Sequence, residues 1–507
     1  MIERFVNRWA DAVIRFRWLV VLTTLLGIVL MILPMKHLYF DNSNEMWFIP
    51  GDPALVKYDK LRELFGSSQY LVVGLEARPG EQTVFSRQNL ETIAAIHEFL
   101  EAHEHVLKVS SLYNYQYIES ENDVLNTNDL IEDLDDLTGS QQEMERLARI
   151  MKGESLVHDY LITRDMRHTV IMAKTVYKEG EIDHQVALID DLNQFIAEQG
   201  FPAQGYAFRL AGSPVISENF LSTSIADSRT TLPVMCVLTI LFLWFAFRRL
   251  SGVLMPLVVI IGSVIAIAGS VGVFGWALNS LNIWLPVMLI AIGIGDSVHI
   301  IVEYYHGIDD RLPPKKAAHR SLRKLFIPCF NTSLTTSLGF IAVATTQLKP
   351  LREFGIIAAI GVFVAFLISV TTLPALLSFV QPRRKTQKTS IHQGMIARVT
   401  NRLTDFDFRN RFPILGVSIV IIAVSVAYTL TISVDTNFIN NFKESSRIRQ
   451  DMIYFDETYS GGYNLEFIVD SGEAGGIKNP QFLQQVMRFQ DYLESLEETG
   501  RAHSMLN

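Results

Sequence analysis

Asp296 and His299 stand in the middle of "IGIGDSVHIIVEYY" (292–305), a run otherwise apolar enough to lie within a membrane. A charged group in hydrocarbon is costly, so a residue of this kind points to function. Three residues apart on a helix, the two share a face. A carboxyl beside an imidazole can take up a proton, hold it and pass it on. Moving that charge through the membrane potential is worth about 2.3 kcal/mol per 100 mV. Ser297 lies between them, and Glu303 follows about 10 Å further along the helix, at 1.5 Å per residue. The next apolar run, "PCFNTSLTTSLGF" (328–340), brings Asn331, Thr332, Thr335 and Thr336 to a matching depth. They read as supporting polar groups beside the proton pair, or as the interhelical hydrogen-bonding residues common in membranes. Gly293, Gly295 and Gly339 read as small residues that let neighbouring helices approach closely.

Two other chemistries share these letters. Gly293 and Gly295 open a G-x-G-x-x-G, but Val298 replaces its third glycine, the motif lies inside an apolar span, and no G-x-x-x-x-G-K-[ST] occurs. Nucleotide hydrolysis is therefore not expected. Gly293-Ile294-Gly295-Asp296 also matches the GxGD signature of intramembrane aspartyl proteases, with Pro-Ala-Leu at 374–376. That reaction needs two carboxylates sharing a proton. The three preceding apolar runs contain neither Asp nor Glu, so the dyad is lacking and a transporter is expected rather than an enzyme.

The elements that must hold these residues are membrane helices. The chain is 49% hydrophobic, with a mean hydropathy of +0.23. Seven apolar runs of spanning length lie near 18–35, 230–247, 252–276, 281–303, 325–347, 354–380 and 412–432. With the N-terminus in the cytoplasm, the inside segments 1–17, 248–251, 304–324 and 381–411 carry 20 Lys/Arg against 6 Asp/Glu. The outside segments are acidic, with a net charge of −21. This asymmetry sets the expected orientation. Cys236 and Cys329 both fall in spans and read as packing residues. His103 and His105 read as a solvated helix end, and no metal or other cofactor is implied.

The sequence repeats itself at an offset of 394. "LFGSSQYLVVGLEA" from 64 returns as "TYSGGYNLEFIVDS" from 458, and "RFRWLVVLTTLLGIVL" near 15 returns as "RFPILGVSIVIIAVSV" near 411. One unit thus comprises a helix, a large outside domain and five more helices. The second unit contains its first helix and the opening of a second domain, so a longer two-unit chain is expected. The organisation reads as 1–35 N-terminus and first span, 36–228 outside domain and 229–381 spans two to six. A basic linker at 382–411, a seventh span at 412–432 and an incomplete second domain at 433–507 follow. Within 36–228, "QYLVVGLEA", "VLKVSSL", "HTVIMAKTVY" and "YAFRLAG" read as strands. "SRQNLETIAAIHEFLEA" and "IDHQVALIDDLNQFIAEQ" read as helices after Ser or Asp caps. Two β-α-β units suggest a ferredoxin-like layer. Residues 119–145, with ten acidic and no basic residues, read as a solvated helical insert or as a surface for a cation or partner.

"AIGIGDSVHIIVEYYH", "PCFNTSLTTSLGFIAVATT" and "PLREFGIIAAIGVFVAFLISVTTLPALL" together resemble the fourth, fifth and sixth spans of the resistance-nodulation-division (RND) superfamily. The resemblance is to its MMPL-type and hydrophobe-exporter branch, which includes hopanoid transporters. It implies a polytopic α-helical membrane protein with an α+β extracytoplasmic porter domain, this chain being about half of a two-repeat RND fold. It also implies proton-driven export of a lipid or other hydrophobic molecule from the bacterial inner membrane, with Asp296 and His299 as the coupling pair. The family's glycine run ends in Asp-Asp, Asp-Tyr or Asp-Phe; here Gly295 takes the first of those positions and Asp296 the second. The implied partners are protons, the membrane and a hydrophobic substrate, with room for a homo-oligomer and no nucleic acid. A SecD/SecF-like export accessory and a sterol-sensing-like lipid receptor share the same helix bundle and are the alternatives.

Overall fold

A computed structural model describes residues 2–380 except 44, 67–68, 122–123, several positions within 132–138, 155–156 and 177–181, and describes 395–506 except 433–437 and several positions within 460–466 and 497–503. Residues 381–394 of the basic linker and part of "TYSGGYNLEF" lie outside the described residues.

Among the described residues, seven helices have the length and apolarity to cross a membrane, at Arg17–His37, Ser213–Phe247, Leu250–Phe274, Asn282–Asp309, Pro314–Val343, Lys349–Leu377 and Arg411–Thr429. Each coincides with one of the seven apolar runs, because about 20 apolar residues in a row are stable in lipid only with their backbone hydrogen bonds closed internally. The third to sixth spans pack on one another, and the first lies against the third. The chain approach there is close. A Cβ at Gly269 would meet Met31 O at 2.3 Å, and one at Gly272 would meet Pro34 O at 2.3 Å.

The N-terminal segment is not a plain tail. Ile2–Arg15 is an amphipathic helix burying Val6, Ala10 and Val13. Trp9 Nε1 donates to Val370 O at 3.3 Å, fixing it to the end of the sixth span. The spacing 6, 10, 13 is the helical signal.

Between the first two spans the chain forms strands β1 (Tyr70–Glu76), β2 (Val106–Ser110), β3 (Gln116–Glu121), β4 (Val124–Asp129), β5 (His168–Thr175) and β6 (Phe208–Ala211). Four of them make one antiparallel sheet in the order β2-β5-β1-β6, with Val72 opposite Met172 and also opposite Ala211. With helix Arg87–Glu101 between β1 and β2, and helix Asp183–Glu198 between β5 and β6, this is the split β-α-β layer the sequence suggested. Alternation along β1 puts Leu71, Val73 and Leu75, none with any exposure, into the core. Ser86 Oγ caps the first of these helices by accepting from Asn89 N. Asp183 lies in the first turn of the second helix; the cap position is Ile182.

The acidic segment is not a helical insert throughout. Strands β3 and β4 pair antiparallel here, and a helix, Gln141–Gly153, follows. Two further features concern the domain's attachment. Helix Ser213–Phe247 is a single element of 35 residues that passes the expected 228/229 boundary without a break. Helix Arg447–Tyr459, which follows the seventh span, buries Ile448, Met452, Phe455 and Tyr459 in the same core as the sheet.

Candidate functional site

Asp296 lies mid-way along the fourth span, 14 residues from Asn282 and 13 from Asp309. That places it about 20 Å from either end of the helix at 1.5 Å per residue. Its Oδ2 accepts a hydrogen bond from Ser333 Oγ of the fifth span at 2.9 Å. A cavity of about 430 Å³ opens on this carboxylate. Spans four and five line it with Ile292, Gly295, Asp296, His299, Leu325, Pro328, Cys329, Thr332, Ser333 and Thr336. Asp296 is the one carboxylate in that lining.

The structure sorts the sequence's candidates. Asp296, His299, Thr332 and Thr336 meet at one cavity. Thr332 Oγ1 donates to Pro328 O at 2.6 Å and Thr336 Oγ1 to Thr332 O at 2.8 Å, so both hydroxyls are held by their own helix. Asn331 and Thr335 are exposed and lie off the cavity, with Thr335 Oγ1 donating to Asn331 O at 2.9 Å. Ser297 is fully buried, donates to Gly293 O at 3.0 Å and does not line the cavity.

The glycines need correction. Nothing lies within 4 Å of where a Cβ would sit on Gly295 or Gly339, and at Gly293 there is only an ordinary contact with Ile260 at 3.9 Å. Close helix approach is therefore not their part here; Gly295 instead leaves space in the cavity wall. Ser333 and Cys329 were missed. They lie at i and i+4 on one face of the fifth span, the spacing that meets a neighbouring helix. Of the polar run around them, Thr332 and Thr336 share the cavity while Asn331 and Thr335 do not, and Cys329 is more than a packing residue, since it borders the carboxylate.

Glu303 has a different role. It is buried, and it accepts from Arg320 Nε at 3.1 Å and from Lys324 Nζ at 2.8 Å. Arg320 Nη1 also donates to Asp310 Oδ2 at 2.6 Å. Arg320 and Lys324 are one turn apart on the fifth span's helix, so this cluster clamps spans four and five below the cavity. Between that clamp and the Ser333–Asp296 bond, the two spans are joined by polar groups at two depths.

A multi-pass membrane protein with one ferredoxin-like domain and a mid-span carboxylate facing the next helix is the class these features define. The profile of the MMPL family matches residues 122–406, more than half of the chain, and the chain belongs to that family. It is 23% identical over 335 residues to a membrane protein of Methanocaldococcus jannaschii, covering 65% of this chain and 82% of the relative. It is 25% identical over 256 residues to the hopanoid transporter of Rhodopseudomonas palustris, covering 49% of this chain and 28% of the relative. With the multidrug resistance protein MdtC of Salmonella typhi it shares 20% over 184 residues, 35% of this chain and 18% of the relative. The chain thus spans most of the Methanocaldococcus protein and less than a third of each of the other two.

Proposed function

We propose that this chain is part of a proton-driven exporter that moves a lipid or other hydrophobic molecule out of a bacterial inner membrane, its N-terminus facing the cytoplasm. The observation that carries the reading is the Asp296 cavity between spans four and five. When ionised, the carboxylate accepts a hydrogen bond from Ser333 and ties the two helices together. Once protonated it no longer presents the same charged acceptor, and the helix pair has a reason to repack. Only such a difference between the two states lets a proton bias a conformational equilibrium. His299 of the same lining relays the proton, and the Glu303 clamp keeps the helices in register while the bond above it changes.

The hydrophobic cargo is supported by what the similar proteins are, a hopanoid transporter and a multidrug resistance protein. A single sheet domain of this size favours a lipid over a drug pump built to dock an outer channel. Aspartyl protease chemistry would need a second carboxylate in the lining.

The test compares outer-membrane lipids in cells carrying the intact gene, no gene, or the Asp296→Asn form. The expected result is that the last two lack the same lipid. Normal lipids with altered sensitivity to toxic hydrophobes would move the cargo to drugs. If the Asn form exports normally under a pH gradient, the coupling assignment is wrong.

A further inference from the structure

Helix Ile2–Arg15 has three sides, and the bundle accounts for only one of them. Val6, Ala10 and Val13 pack on the fifth span's helix and the end of the sixth, where Trp9 bonds to Val370. Ile2 and Phe5 lie beside that face and stay exposed, although Phe5 and Trp9 both meet the Phe326 ring. Arg4, Arg8 and Arg15 form the third side. At about 100° per residue they fall within about 40° of one another, nearly opposite the docked face. All three are exposed, and among the described residues none has a carboxylate partner. The helix's own Asp11 pairs with His319 at 3.1 Å. Arg17, at the start of the first span, differs: it donates to Ser378 O at 3.0 Å and lies 4.0 Å over the Phe379 ring.

The depth of the helix follows from Phe326, which stands seven residues before Ser333 on the same helix. That is about 10 Å from Ser333, toward the end of the bundle where the N-terminus sits. Half the hydrocarbon of a bilayer is about 15 Å thick. With Asp296 at mid-span, helix 2–15 therefore lies where acyl chains give way to headgroups. Docked face, apolar flank and cationic ridge follow one another around it, the order of a helix with its flank in lipid and its cations among headgroups.

The second unit separates the ridge from the docking. At the offset of 394, Arg398, Arg402 and Arg409 stand for Arg4, Arg8 and Arg15. Ile396, Val399 and Leu403 stand for Ile2, Phe5 and Trp9, so the apolar flank is kept too. The docked residues are not kept, since Thr400, Thr404 and Asp407 replace Val6, Ala10 and Val13. Arginines retained where the packing residues have changed serve something other than packing on the bundle.

We propose that the Arg4–Arg8–Arg15 ridge binds the anionic headgroups of lipids in the leaflet on which the N-terminus lies. Guanidinium groups present paired N–H donors that match phosphate oxygens. A zwitterionic headgroup also carries a phosphate, but its ammonium cancels the net charge, so the ridge favours a lipid with net negative charge. Through Phe5, Trp9 and Phe326 the bound lipid is anchored to the same fifth span that carries Ser333.

The experiment uses the full chain in phosphatidylcholine vesicles, with Ala12→Cys, Cys236→Ser and a fluorophore at position 12. Spin-labelled phosphatidylglycerol or spin-labelled phosphatidylcholine is added in trace as the quencher. A fluorophore on the native Cys236, exposed on span two, gives the ratio for lipid with no special site. At position 12 phosphatidylglycerol should quench at least about fivefold more effectively than phosphatidylcholine, the contribution of one Arg near a charged surface. The preference should fall at high salt. It should vanish when Arg4, Arg8 and Arg15 are all changed to Gln, and persist when all three are changed to Lys, which keeps the charge. Equal quenching by the two lipids at position 12, or a preference that survives the Gln changes, overturns the proposal. None of these measurements needs transport, so failure here leaves the export reading untouched.

Discussion

The Ser333 hydroxyl donates a hydrogen bond to Asp296 across two helices at 2.9 Å, and such a bond to an ionised acceptor is worth about 1.5–3 kcal/mol. Ser333→Ala should therefore slow transport by about tenfold or more while leaving it proton-dependent; transport rates in vesicles at two imposed pH gradients would check this. In the sheet domain, His97 is buried with Nδ1 2.9 Å from Ser111 Oγ. Burial holds its ring below the usual 6.5, with Glu101 and Glu98 opposing that shift. The folded state thus binds the proton less readily than the unfolded one, and stability is lost as pH falls below about 6.5. His97→Gln should flatten that loss in thermal unfolding followed between pH 7.5 and 5. Asp296 was legible in the sequence because a carboxylate among apolar residues stands out. Ser333 was not, because one serine in a Ser/Thr-rich helix carries no mark until its facing helix is known.

Helices that cross a membrane are legible as elements because length and hydropathy decide them alone. The four strands of the sheet were equally plain, since alternation and β-branched residues act locally. The β3–β4 pair was missed because its acidic composition hides a weak alternation. The N-terminal helix is hard to read from hydropathy because its packed residues, Val6, Trp9, Ala10, Val13 and Ile14, are interleaved with charged ones. Where the sheet domain joins the membrane, Gly212 has φ +103°, and a Cβ there would sit 1.9 Å from Tyr70 O. Gly212→Ala should force β1 and β6 apart at this junction. The left-handed backbone alone costs of order 1–3 kcal/mol, and the clash adds to it. Limited proteolysis of the domain in membranes should show faster cleavage than in the unaltered chain.

At the scale of the whole molecule, the contact between helix 447–459 and the sheet joins residues more than 240 positions apart, such as Arg209 and Asp451. Nothing local announces it. Arg209→Ala leaves Asp451, 3% exposed at its side chain, with Arg447 at 3.6 Å as its remaining ionic partner among the described residues. It should weaken the helix's hold by about 1–3 kcal/mol, seen as faster hydrogen exchange confined to 447–459 and β6. The other long-range feature is helix Ser213–Phe247, which leaves β6 and ends at the far side of its span without interruption, with Pro233 inside it. Proline removes one backbone hydrogen bond and makes a natural pivot. From Pro233 to Ser213 the arm is about 30 Å at 1.5 Å per residue, so a tilt of about 5° swings the sheet end by about 2.5 Å. Beyond Pro233 the helix runs on to the sheet domain as one element, so a change of angle at the proline reaches the domain enlarged by the length of the arm.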